Sequence, residues 1–255
     1  MFLSYSQKIF ISKVYKKINL LNKKNNFFRT LMYHSVYDDS IENDNKIMWR
    51  LGLSLFKEQI KFIKENKNNK IYKSEVLLSN APLNGISITF DDGNIDCYNH
   101  VAPFLLDLKI PFSIFVITNF IKNEKKGYMN KSILKEMSEN PYISIGSHTK
   151  NHYSLTNCSE TTIYSELNDS KLYLEDLLGK EIVMFSYPHG KVNKFIEKKV
   201  SQTGYKLAFS SKFNVNKVDE NKLALCRNEI WNTDSMQIFK QKLNGDWDWM
   251  KYRNF

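Results

Sequence analysis

Glycine and proline are scarce in this 255-residue sequence, with 9 and 5 residues. A collagen-like or linker-rich chain needs both in excess, so those classes are excluded, and 42% hydrophobic residues exclude a disordered one. Cysteine is rarer still. Cys97, Cys158 and Cys226 are widely spaced, odd in number and form no CxxC pair, so neither a disulfide framework nor a cysteine zinc site is expected. Free or buried thiols in a reducing compartment are expected instead. Long apolar runs are also missing: Ile110–Ile121 spans only twelve residues and suits a buried strand better than a membrane span. At the start, Lys13 interrupts the apolar run before it reaches the ~7–15 residues of a secretory signal. The expected location is therefore the cytoplasm or the inner face of the cell membrane.

What is present is a globular composition, with 17 Phe and 14 Tyr, in a chain long enough for one large core. The net charge is +10, but lysines are spread over helices that also carry glutamate, and no arginine cluster or nucleic-acid-binding signature occurs. Nucleic acid is not an expected partner. Residues 1–24 differ from the rest: they hold six lysines and no acid, and Phe10, Val14, Ile18 and Leu21 recur at helical spacing. This basic amphipathic segment, residues 1–26, either lies on an anionic membrane face or packs on the domain formed by residues 27–255.

Short apolar runs alternate with longer amphipathic ones. Strands are expected at Phe27–Tyr33, Ile86–Phe90, Phe112–Ile117, Ile143–Ser147, Ile182–Tyr187 and Lys206–Phe209, with a seventh near Leu223–Ile230. Helices are expected at Leu53–Asn66, Cys97–Leu108, Lys131–Glu139, Ser159–Leu178 and Asn193–Gly204, with a last one from about Asp234. Ser159 is an N-cap and Gly179 a C-terminal stop. Such alternation implies an α/β fold with a mostly parallel sheet or barrel.

Two segments carry chemistry. Ile88–Gly93 ends in the adjacent carboxylates Asp91 and Asp92, and Ser147–His152 places His148 and His152 four residues apart after another apolar run. One carboxylate and two imidazoles form the ligand set of an open metal site, and the second carboxylate is a ready base. Taken singly, Asp-Asp-Gly is often a turn, a His pair can arise by chance, and His34 is an ordinary histidine. Together they fall with Tyr187 at the C-terminal ends of expected strands, where parallel α/β folds build their active sites.

The combined motifs resemble the polysaccharide deacetylases, the NodB-type domains of carbohydrate esterase family 4. The likeness rests on Thr89–Gly93 with Asp96 and Tyr98, Pro111–Val116, Gly146–Leu155, Phe185–Gly190 and, more weakly, Gly204–Phe209, and it spans roughly residues 29–230. The resemblance implies a distorted (β/α)7 barrel of the NodB deacetylase type. It also implies one divalent metal held by Asp92, His148 and His152, with zinc favoured and cobalt, nickel or iron suited to the same triad. The implied reaction is removal of an N-acetyl group from an amino sugar by a water activated at the metal. Asp91 would be the base, the backbone N–H of His189 an oxyanion donor, and Tyr187, Pro188 and Gly190 of the third motif would contact an N-acetylated sugar or polysaccharide. The side chain of His189 fits either sugar contact or proton transfer.

Two departures from the common pattern are informative. Many members carry an arginine two residues before the proline of the third motif, where this chain has Ser186. Many also carry a C-terminal Leu-x-His acid, and no histidine follows His189. The motif Leu31–Ser35 instead resembles the biofilm poly-N-acetylglucosamine deacetylases, whose permuted motif order places the acid in an N-terminal Tyr-His; the acid would then be His34. Arg227 resembles the arginine after the last strand in those relatives, as a substitute beside Asp91 or as a structural salt bridge. Trp231, Trp247 and Trp249 fit either sugar-stacking surfaces or, as such residues more often are, core or interface anchors. The alternatives are an inactive glycan-binding homologue or a peripheral membrane protein of a surface-polysaccharide pathway.

Overall fold

A computed structural model describes residues 4–19, 28–40, 47–66, 70–79, 84–217 and 220–252. Helix α1 (Tyr5–Asn19) is followed by β1 (Phe28–Tyr33), the short strands β2 (Ser35–Tyr37) and β3 (Arg50–Gly52), and α2 (Leu53–Glu65). Alternation then runs through β4 (Gly85–Phe90), α3 (Ala102–Asp107), β5 (Phe112–Val116), α4 (Thr118–Lys122), α5 (Lys131–Glu139) and β6 (Ile143–Ser147). It continues through α6 (Glu160–Leu178), β7 (Met184–Ser186), α7 (Lys194–Gln202), β8 (Leu207–Phe209), β9 (Asn228–Glu229) and α8 (Met236–Asn244).

Seven strands pair in parallel in the order β8-β7-β6-β5-β4-β1-β9, and β2 pairs with β3 apart from them. All seven expected strands are present. The distortion of the barrel lies at its seam. One stretch, Leu225–Glu229, meets β8 through the parallel Phe209–Leu225 bridge and β1 through the Leu31–Asn228 pairing. Every residue of β1, β4 and β5 is buried, as strands covered on both faces must be. Burying such side chains contributes roughly 1.5–3 kcal/mol for each large aliphatic or aromatic residue.

The helix signals hold at their ends. Ser159 Oγ accepts the Thr162 N–H at 3.2 Å, and Gly179 closes α6 with a φ of 64°. The expected helix Cys97–Leu108 begins as a π-turn, Cys97–Val101, before α3. The β2–β3 pair and α4 were not read from the sequence, being only three to five residues long.

Helix α1 packs on the domain. Tyr5, Ile9, Ile11 and Tyr15 pack against a cluster of Phe213, Trp231, Ile238, Trp247, Trp249 and Met250. The Tyr5 hydroxyl donates to the Thr233 carbonyl at 2.8 Å, and the Trp249 indole donates to Ser12 at 2.8 Å. Of the two settings open to them, the three C-terminal tryptophans take that of core anchors. Phe10 and Val14, on the stripe that spacing alone singled out, face solvent. The side chain of Ile18 and residues 20–27, with Leu21 and Phe27, lie outside the described residues. No described helix is long and apolar enough to cross a membrane.

Candidate active site

The β4 chain ends at Phe90, and the Asp91 N–H then donates to the Tyr33 carbonyl at 3.0 Å. Asp92 and Gly93 take φ of 74° and 76° in succession, so the chain turns back and the two carboxylates diverge. Asp91 is 2% exposed. At Gly93 a Cβ would stand 2.9 Å from Val116 Cγ1 in a left-handed conformation, which admits little but glycine.

At the end of β6, His148 is followed by Thr149 and His152, with φ of 67° and 65°. With Asp92 and His189 (φ 59°), four of the six non-glycine residues of positive φ among those described stand at this one place. Strain of this kind persists only where its surroundings enforce it. Glu166, a buried residue of α6, does so here. Its carboxylate accepts the Lys150 N–H at 3.1 Å, the Asn151 N–H at 2.8 Å and the Asn151 amide at 2.6 Å. The sequence does not mark Glu166, whose partners Lys150 and Asn151 lie 16 and 15 residues before it. Glu166→Gln is expected to weaken metal affinity about 10–100-fold, the usual cost of losing an outer support. Chelator competition measures it, with the far-ultraviolet circular dichroism unchanged.

The Asp92 carboxylate and the two imidazoles converge, their ligand atoms all within 4.8 Å of one another. His148 Nε2 and His152 Nε2 face each other at 3.1 Å, and each lies 3.6 Å from Asp92 Oδ1. His148 Nδ1 lies 2.8 Å from the Ser186 carbonyl, which can only accept, so Nδ1 carries the proton and Nε2 keeps its lone pair for the centre. Burial holds the His152 imidazole below its ordinary range. A carboxylate oxygen and two imidazole nitrogens aimed at one point suit a divalent ion.

Asp91 has the opposite environment. Arg227, wholly buried, holds it in a fork, with Nη1 to Oδ1 at 2.7 Å and Nη2 to Oδ2 at 2.8 Å. The Ser186 hydroxyl donates to Asp91 Oδ2 at 3.0 Å and accepts from Arg227 Nη2 at 2.8 Å. Burial alone would raise the Asp91 carboxyl, but the charge and hydrogen bonds of Arg227, with His148 and His34 nearby, hold it well below the usual range. Arg227 thus stands beside Asp91, 41 residues beyond the serine at the arginine position of the third motif, and the serine hydroxyl bonds to both. The role of Ser186 was not read from the sequence, where it appeared only as a missing arginine.

A cavity of about 710 Å3 opens over these groups. His34, Asp91, Asp92, His148, His152, His189 and Gly190 all line it, so strand ends far apart in sequence do meet. His34 Nδ1 is buried without a hydrogen-bond partner. His189 stacks edge-on to His152 at 4.7 Å, and burial lowers its imidazole. Two expected substrate contacts need correction: Tyr187 and Pro188 are buried and do not line the cavity. Tyr187 packs against Phe185 and gives its hydroxyl to the Leu223 carbonyl at 2.7 Å. A large aromatic directly after a strand is pulled into the core, and the pair instead shapes the turn that presents His189 and Gly190.

The polysaccharide deacetylase family model matches residues 79–208, about half of the chain. The chain belongs to this family. It is 28% identical over 202 residues to a Bacillus subtilis protein, YxkH, named for the same family, covering 77% of this chain and 69% of that one. It is 29% identical over 203 residues to the poly-β-1,6-N-acetyl-D-glucosamine N-deacetylase of Staphylococcus aureus, covering 74% and 68%. Among solved structures, the Streptococcus pyogenes deacetylase PplD in complex with acetate superposes with a TM-score of 0.76 at 25% identity, over 86% of this chain and 99% of that one. IcaB of Ammonifex degensii shares the fold, with a TM-score of 0.72 at 20% identity over 88% and 98%. The expected family and barrel type are both confirmed.

Proposed function

We propose that this deacetylase hydrolyses the N-acetyl group of an amino sugar within a glycan or glycan precursor. Asp92, His148 and His152 hold one divalent ion, zinc being the best match to two imidazoles and a carboxylate. The observation that carries the reading is the convergence of that triad within 4.8 Å, beside a buried, ionised Asp91 in the same cavity. An ion bound there supplies Lewis-acid polarisation of a carbonyl and lowers the pKa of water.

The remaining work falls to the chain. Asp91 accepts the proton of the attacking water; Arg227 and Ser186 keep it ionised and fix its plane. The His189 backbone N–H, in the turn at the cavity wall, is the candidate donor to the developing oxyanion. His34 gives a proton to the departing nitrogen, since an unprotonated amine leaves poorly. Its unpartnered Nδ1 shows that its hydrogen bonds within the protein are incomplete. Acetate and a free amino sugar result.

Acetate release from poly-β-1,6-N-acetylglucosamine, the polymer in the name of the S. aureus relative, is the first assay. Release should stop with a chelator and return with zinc, cobalt or nickel. A glycan-binding homologue without activity would release none. His34→Ala should lose about 10²–10⁴-fold in kcat, the range for one acid–base group, with metal content unchanged. A fully active His34→Ala protein would sink the acid assignment.

A further inference from the structure

Four tryptophans occur, and three of them, Trp231, Trp247 and Trp249, are buried in the cluster beneath α1. The fourth is different. Trp49 is 46% exposed, yet both its side chain and its backbone are hydrogen-bonded. Its indole N–H donates to Glu229 Oε1 at 2.6 Å, and its carbonyl accepts the Ser35 N–H at 3.3 Å. The turn before it is pinned as well. Ile47 O accepts the Arg50 N–H at 3.0 Å and the Asn232 side-chain amide at 3.0 Å, and Met48 O accepts the Asn232 N–H at 2.9 Å.

An indole left in water forgoes the burial that normally stabilises it, roughly 25 cal/mol for each Å2 of apolar surface. Fixing it there with a carboxylate spends side-chain freedom as well. That combination has a physical use where a flat apolar surface must be ready before a ligand arrives, because ordering done in advance does not weaken binding. Trp49 and Glu229 both line the 710 Å3 cavity. The indole centroid lies 6.1 Å from that of His34. A sugar whose amine reaches His34 brings its ring to within a few ångströms of the indole.

We infer that Trp49, aimed by Glu229, is the stacking surface for the pyranose ring that bears the reacting acetamido group. The axial C–H face of a pyranose is apolar and flat enough to lie on an indole, while its hydroxyls stay at the polar rim. Glu229 acts through the indole and is a positioning residue. The inference rests on the deacetylase reading of the same cavity, and its test separates the two.

The full-length protein is titrated with N-acetylglucosamine and with its β-1,6-linked trimer while tryptophan emission is followed, and acetate release is measured on the trimer. The emission should change in the wild type and not in Trp49→Phe, because the other three indoles are buried away from solvent. Trp49→Ala should raise KM about tenfold, equivalent to 1.4 kcal/mol, with kcat little altered, and Trp49→Phe should restore most of it. Glu229→Ala should raise KM and Glu229→Gln should not, since an amide oxygen still accepts the indole N–H. An unchanged KM in Trp49→Ala overturns the inference. So does a wild-type emission change produced by the trimer and not by N-acetylglucosamine, which would place Trp49 against a neighbouring unit. If the wild type releases no acetate but N-acetylglucosamine still shifts the Trp49 emission, the deacetylase reading fails and the stacking surface stands.

Discussion

Replacing Arg227 by methionine is expected to lower the free energy of unfolding by about 3–5 kcal/mol, the cost of leaving one partner of a buried ion pair uncompensated. In a chain of this size that is roughly 2–4 °C of Tm for each kcal/mol. Lysine should rescue little, because a point charge cannot reproduce the two-pronged contact with Asp91 at 2.7 and 2.8 Å. The deficit should depend on pH in a definite direction. Asp91 is held below its ordinary value, so it adds stability at pH values above about 4, and the contribution disappears as pH falls through the lower folded-state value. Without Arg227 the buried carboxyl rises and becomes easier to protonate. The gap between the two proteins in urea unfolding should therefore be widest near neutrality and narrow in acid. A gap independent of pH would show that Arg227 supports the seam by packing alone. In the surviving enzyme the acid limb of kcat/KM should move upward, because the base is then protonated at higher pH.

Asp91→Asn is expected to reduce kcat by about 10²–10⁴-fold with metal content intact. The adjacent Asp92→Asn should do the reverse and release the metal first. The difference follows from what already engages the two carboxylates. Asp92 Oδ1 faces both imidazoles at 3.6 Å, whereas Asp91 Oδ2 approaches only His148, at 3.8 Å, and both Asp91 oxygens are taken by Arg227 and one also by Ser186. Elemental analysis beside acetate release distinguishes the two outcomes. An Asp91→Asn protein within tenfold of wild-type kcat would remove Asp91 from the role of base. One that has lost its metal would make it part of the ligand set.

Much of the barrel was legible because each strand is a short β-branched or aromatic run bounded by turn residues. β6 matched its expected bounds, and so did α5. Caps were legible for the same local reason, as at Ser159 and Gly179. The β2–β3 pair was not, since three-residue strands carry no period to read. The sequence spacing of α1 picked out Phe10 and Val14, but its packing uses Tyr5, Ile9 and Tyr15. Helical period identifies stripes, and the neighbouring surface selects which one is covered.

The candidate site divides in the same way. Asp91, Asp92, His148 and His152 are linked by short motifs, so their types and spacing could be read directly, as could the empty acid position that pointed to His34. What joins residues distant in sequence was settled only by folding. The seam of the barrel carries Arg227 beneath Asp91, and Ser186 fits between them. Glu166 reaches from α6 to hold the turn of the two histidines, Tyr187 retreats into the core, and Trp49 meets Glu229 at the cavity mouth. Chain chemistry by itself determined the family, the barrel and the candidate metal triad, because those are written in local runs. The tertiary structure decided which side chain orients which, because a hydrogen bond depends on distance in space and is indifferent to separation along the chain.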